Sequence, residues 1–165
     1  MDVGHIICYN LLVIGGSELS NIDIREKYQI KTKFRLLDSG YGKYFNNNIL
    51  SFEHEEGVRT TSTMSEEDIL YFRPVHWLIQ MLWNYRIYYD LLKYSSINGI
   101  NQYDVIELLI KKIDEANPKI VKLFNDFDYE AKSEWFDTPD KMREYYSKNF
   151  DKLEKSEFGK LNYKY

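Results

Sequence analysis

Cysteine is almost absent: Cys8 is the single one in 165 residues, which also hold only three prolines and eight glycines. One thiol excludes a disulfide framework, an all-cysteine zinc site and a cysteine-ligated iron–sulfur cluster built from this chain alone. It fits a reducing, cytoplasmic setting. Long apolar runs are missing too, since Leu11–Ile14 is far shorter than the ~20 residues a membrane helix needs. Asp2 and His5 stand where an export signal would carry its basic start and apolar run. No membrane partner is expected. Nor is there an excess of basic residues: 22 Lys and Arg against 26 Asp and Glu give a formal charge of −4. Nucleic acid is thereby disfavoured, because phosphate binding needs a basic surface. What the chain does have is 44% hydrophobic, 29% charged and 16% aromatic residues, the mixture of a folded globular protein.

The fold class this predicts is α/β (α+β) over residues 1–63, followed by an α-helical bundle over 64–165. His5–Ile14 is nearly all apolar and rich in Ile and Val, as in a strand buried on both faces of a covered parallel sheet. Gly15-Gly16 ends it, and Ser17 or Ser20 can cap a short helix through Tyr28. A strand is expected over Thr32–Leu37, with Lys33 and Arg35 on one face and Phe34 and Leu36 on the other; Asp38-Ser39-Gly40 should close it. Asn46-Asn47-Asn48 is a turn signal before a strand at Ile49–Phe52. Ser65 with Glu66, Glu67 and Asp68 starts a long helix to about Lys93, in which Pro74 marks a bend or a start displaced towards Arg73, and Asn98-Gly99 stops it. Asn101, Asn117-Pro118 and Thr138-Pro139 begin three further helices, the last near Asp140–Leu153. Both ends have the composition of interrupted strands, at His5–Ile14 and Lys160–Tyr165, which predicts a portion of a larger fold.

Chemical signatures fail on spacing. His54-Glu55-Glu56-Gly57-Val58 lacks the second histidine of a zinc-protease helix, and Gly15-Gly16-Ser17-Glu18-Leu19 lacks the closing glycine of a nucleophile elbow. His5 and Cys8, three apart on a strand, face opposite sides and cannot share a metal. No catalytic or metal-ligating residue is assigned. Two features stay as candidates. The Gly15-Gly16 turn with Glu18 could let a cofactor approach the backbone at a strand end, or be a plain tight turn before a helix. Arg73, His76, Gln80 and Asn84 form a narrow polar stripe on an otherwise apolar helix, either one wall of a substrate cavity or a thin solvent-facing strip. The acidic knot Glu53–Glu56 around His54 could do acid–base work or hold a metal, and is read in preference as a solvated strand edge.

Tyr9-Asn10-Leu11-Leu12-Val13-Ile14-Gly15-Gly16-Ser17-Glu18-Leu19 resembles a late barrel segment of radical S-adenosylmethionine (SAM) proteins, especially those with an N-terminal cobalamin-binding domain. The run Arg25–Leu37, Gly42-Lys43-Tyr44, Thr61-Ser62-Thr63-Met64-Ser65 with Asp68, Tyr71-Phe72-Arg73 and Glu157–Tyr163 are similar to the segments C-terminal to it in that family. The resemblance implies a partial (β/α) barrel whose Cys-x3-Cys-x2-Cys loop holds a [4Fe–4S] cluster that cleaves SAM to a 5′-deoxyadenosyl radical. That loop is absent here, as are the earlier barrel strands and a cobalamin domain. The chain would therefore be the end of the barrel plus a helical cap, not catalytic alone, partnered by the portion that carries cluster and cobalamin. Gly15, Gly16 and Glu18 would lie towards SAM. Where the family has a Leu-Pro-Gly form this chain has Val13-Ile14-Gly15-Gly16, a departure at the turn itself. The alternative from another class is a non-catalytic helical module that binds a partner protein through its Tyr/Trp-rich surface.

Overall fold

The computed structural model describes residues 4–44, 49–155 and 157. It is a mixed α+β structure in which a two-stranded antiparallel sheet is followed by helices. The chain divides into two compact units, each discontinuous in sequence: Asn10–Ile69 with Tyr129–Tyr165, and Met1–Tyr9 with Leu70–Asp128.

The first unit is built on a long hairpin. Strands β1 (Lys31–Tyr44) and β2 (Ile49–Thr60) pair with Lys33 opposite Gly57, Arg35 opposite Glu55 and Tyr41 opposite Phe52. Alternation along Thr32–Leu37 sets Lys33 and Arg35 against acidic partners and sends Leu36 into the core, as expected. Asp38-Ser39-Gly40 does not close the strand. The register shifts there and pairing resumes at Tyr41, a bulge with Ser39 at φ 58° and a buried Gly40 whose missing side chain leaves room for Leu37 and Glu53. The expected Asn46–Asn48 turn and the Lys160–Tyr165 strand lie outside the described residues.

Helix α1 (Ile22–Lys27) precedes β1, and its cap is Asn21, which accepts the Asp23 N–H; Ser20 instead donates its hydroxyl to the Ser17 carbonyl. At the other end of the unit, Thr138 caps α6 (Pro139–Lys148), with Pro139 in the first turn. The single helix expected to Leu153 breaks at Asn149, and α7 (Phe150–Glu154) comes next. Met142, Tyr146, Phe150 and Leu153 pack with Leu36 and Phe52 into one core cluster.

The leading apolar run is not a strand buried on both faces. Only Leu12 pairs, in a single antiparallel bridge to Gly57, while Ile7, Tyr9, Leu11 and Ile14 are exposed. The sheet is antiparallel, not parallel, and the described residues show no barrel. An uncharged run has the composition of an interior strand, but burial depends on covering layers, which composition does not report.

The second unit is helical, and the helix that leads into it begins among the first unit's residues. Ser65 and Asp68 cap α2 (Glu66–Leu78) reciprocally: the Asp68 N–H donates to Ser65 Oγ and the Ser65 N–H to Asp68 Oδ2. Pro74 sits within this helix, which leads at Leu78 into a π-helical turn, Ile79–Asn84. Arg86, with φ 57°, then separates it from α3 (Tyr89–Ile97). The one long helix expected to Lys93 is thus three pieces, since a residue in the left-handed region cannot continue a right-handed helix. Asn98 and Gly99 (φ 77°) end α3, Asn101 caps α4 (Gln102–Lys111), and Asn117 accepts the Lys119 N–H at the start of α5 (Pro118–Ser133). Val75, Leu82, Trp83, Leu92 and Ile106 form this unit's core, and Trp77 stacks on Phe127 at 4.7 Å. No helix among the described residues is long and apolar enough to cross a membrane.

Candidate functional site

The glycine turn is open. Ile14 C=O accepts the Ser17 N–H at 3.0 Å, and Gly16 takes φ 82°, a region that other residues enter only at a cost. A side chain placed on Gly15 or Gly16 would meet nothing within 4 Å, so the backbone there is bare to an approaching molecule. Glu18, exposed, opens the short 3-10 turn Glu18–Ser20. Arg25 of α1 ties this short turn to the sheet. Its Nε donates to the Leu19 carbonyl, and its guanidinium grips Glu56 of β2 in two bonds of 2.8 and 3.1 Å.

Glu56 also accepts from the Thr32 hydroxyl at 2.6 Å. Burial would raise the Glu56 pKa, but the bonds from Arg25 and Thr32 outweigh it and hold the carboxyl below its ordinary value. The Glu66 carboxyl is lowered in the same way against its own burial, by Lys33 and Arg59. The acidic knot is solvated only at Glu53, which is exposed: Glu55 pairs with Arg35, Glu56 with Arg25, and the His54 ring meets Phe34 edge-on. Both depressed carboxylates stabilise the fold above their unfolded pKa, and that contribution is lost as pH falls through the folded values. Denaturant titrations should show stability falling from neutral pH to below pH ~4, with Glu56→Gln flattening the fall. An unchanged profile in the variant would contradict this role.

The polar stripe divides. Asn84 and Gln80 come together, Nδ2 of Asn84 donating to Gln80 Oε1 at 2.6 Å. The Asn84 amide then imitates a neighbouring strand: Oδ1 accepts the Ile6 N–H at 3.0 Å and Nδ2 donates to the Ile6 C=O at 2.7 Å. His76 is half-buried and stacks on Phe72; burial lowers its pKa, and the Arg73 charge adds to the effect. Asn84→Ala should release the Ile6 amide, losing about 1–3 kcal/mol as two partly buried backbone groups go unmatched. Amide exchange at Ile6 reads this directly, and unchanged protection would refute the clamp.

A third cluster had no motif to announce it. The Trp135 ring packs against two guanidinium groups, Arg35 and Arg59, each 4.8 Å from its centroid. Arg59 is only 4% exposed and pairs with Glu66 at 3.2 Å, while Arg35 bridges Glu55 and Glu134. Burial would lower the Arg35 pKa, yet the two carboxylates overcome it and raise the value. Gly57 makes room for the ring. Cross-strand alternation hints at the Arg35–Glu55 pair, but nothing in linear spacing brings in Trp135. Among the described residues no group of three or more His, Cys, Asp or Glu could hold a metal ion. An open hollow of about 510 Å³, lined by Gln29, Lys31, Thr61, Ser62 and Asp68 among others, lies at the start of α2.

No family model, no curated protein and no solved structure matches this chain.

Proposed function

We propose that this chain is the C-terminal portion of a radical SAM enzyme of the cobalamin-dependent type, supplying a barrel edge and a helical cap for the substrate site. The observation that carries the reading is the folded form of Tyr9–Leu19: an extended apolar stretch running into a glycine turn whose backbone is bare. In open α/β folds ligands gather where strands end in such turns. Glu18, exposed beyond it, suits a ribose hydroxyl or an ammonium group. In this reading Gly15, Gly16 and Glu18 lie towards SAM. Asn84 is engaged with Ile6 and with Gln80, and Arg73 and His76 are the stripe residues that this reading turns towards a substrate.

The cluster does not fit this chain. One exposed cysteine, Cys8, cannot supply three thiolates, so the [4Fe–4S] cluster and cobalamin are assigned to the portion carrying the cysteine loop. Radical chemistry would come from SAM cleaved at that cluster; these residues would position and enclose. A second reading, a helical interaction module without catalysis, is favoured by Leu91, Tyr94 and Ile97, all exposed on α3.

Anaerobic reconstitution with iron and sulfide discriminates. The leading reading expects no cluster on this chain, and coding DNA upstream that encodes an in-frame Cys-x3-Cys-x2-Cys stretch. A stoichiometric cluster on this chain overturns the ligand assignment. A start codon with no radical SAM gene beside it favours the interaction module.

A further inference from the structure

We infer that the chain by itself pairs with a second copy through the outer edge of Asn10–Ile14, forming a two-fold antiparallel strand pair. The inference does not rest on the proposed enzyme class. On its inner edge this stretch is bonded to β2: the Val13 N–H donates to the Glu56 C=O at 2.8 Å and the Val58 N–H to the Leu11 C=O at 2.9 Å. Leu12 stands opposite Gly57 between those bonds. In an antiparallel ladder this is the non-hydrogen-bonded position, so Leu12 turns its own N–H and C=O away from β2. Asn10 faces the same way by alternation. Among the described residues neither Asn10 nor Leu12 makes a backbone hydrogen bond outside regular elements.

Natural sheets guard such edges with charge or proline. Here no charged residue and no proline occurs from Ile6 to Ser17. When the stretch meets its own copy about Leu12, the two Leu12 residues exchange both bonds and Asn10 faces Ile14. No like charges are opposed, and every amide can donate. Leu11 and Ile14, 54% and 67% exposed, gain cover. On the far side of the hairpin the edge of β1 is already taken at Phe34, because Phe34 and Phe136 exchange both backbone bonds at 2.8 Å. Two-fold pairing therefore uses the open edges of both copies and closes as a dimer instead of growing into a fibre. The edge takes one strand at a time, so a strand from another protein would compete with the dimer.

Sedimentation equilibrium over a range of protein concentrations tests this on the wild-type chain and on Leu12→Pro. Proline removes the outward amide and leaves both bonds to β2 in place. At concentrations low enough for both to be monomeric the variant should melt like the wild type, and it should associate about tenfold more weakly or not at all. Amide exchange at Leu12 in the wild type should slow as concentration rises, a readout that holds even if the variant folds poorly. A wild type that stays monomeric throughout, a dimer indifferent to Leu12→Pro, open-ended association, or Leu12 exchange independent of concentration would each overturn the inference.

Discussion

Gly57→Val should destabilise the hairpin unit by about 3 kcal/mol or more, the cost of overpacking plus that of disturbing buried charges. Even the first carbon of a side chain at this position would overlap Trp135, lying 2.6 Å from Cζ3 and still closer to Cη2. Displacing the indole takes it away from Arg35 and Arg59, both of which pack on it. Arg59 is nearly inaccessible, so a displaced ring leaves a guanidinium poorly covered beside Glu66. Gly57→Ala should show a smaller form of the same effect. The diagnostic is a double-mutant cycle: if the clash with the ring is the cause, Trp135→Leu in the same chain recovers part of the loss. Urea unfolding of the four proteins measures it. Additive losses would mean that Gly57 matters for some other reason.

Leu153→Ala is the second large effect, expected at about 2–5 kcal/mol, because the removed methyl groups leave a cavity in a packed core. Leu153 is 0% exposed and packs with Met142, Tyr146 and Phe150 against Leu36 and Phe52 of the hairpin. The helix that carries it, α7, has only five residues. A helix that short does not stand on propensity, so its burial against the sheet is what keeps it folded. Truncation should therefore loosen α7 as well as lower global stability, with a drop in Tm of roughly 2–4 °C per kcal/mol for a chain of this size. Leu91→Ala on α3, where the side chain is 54% exposed, should cost under about 0.5 kcal/mol and serves as the control. Equal losses at the two positions would contradict the placement of the core.

The parts of the fold that were legible in the sequence are those written in local chemistry. Asn101, Asn117-Pro118, Thr138-Pro139 and the Ser65/Asp68 box start helices because a side chain or a proline settles the orphan amides of a first turn within a few residues. Alternation at Lys33–Leu36 is equally local. What was not legible depends on partners far away in the chain. Asp38-Ser39-Gly40 has turn composition, yet β2 continues opposite it and makes a bulge of it. The apolar run before Gly15 has interior composition, yet its exposure depends on what covers it. The stripe from Arg73 to Asn84 was visible as helical spacing, but its meeting with Ile6 spans 78 positions and a π-helical turn that no pattern signals. The Trp135 cluster joins three separate segments and has no linear signature.

The proposed role is tested most directly by 5′-deoxyadenosine formation from SAM, under anaerobic reducing conditions, by the polypeptide translated from the complete reading frame that contains these residues. Turnover is expected from that polypeptide after iron and sulfide reconstitution, and none from residues 1–165 alone. A clear loss is expected in Gly16→Val, where a side chain would fill the bare turn and strain its φ of 82°. Turnover by residues 1–165 alone, or a reconstituted full-length product that binds no cluster and releases no 5′-deoxyadenosine, would refute the assignment.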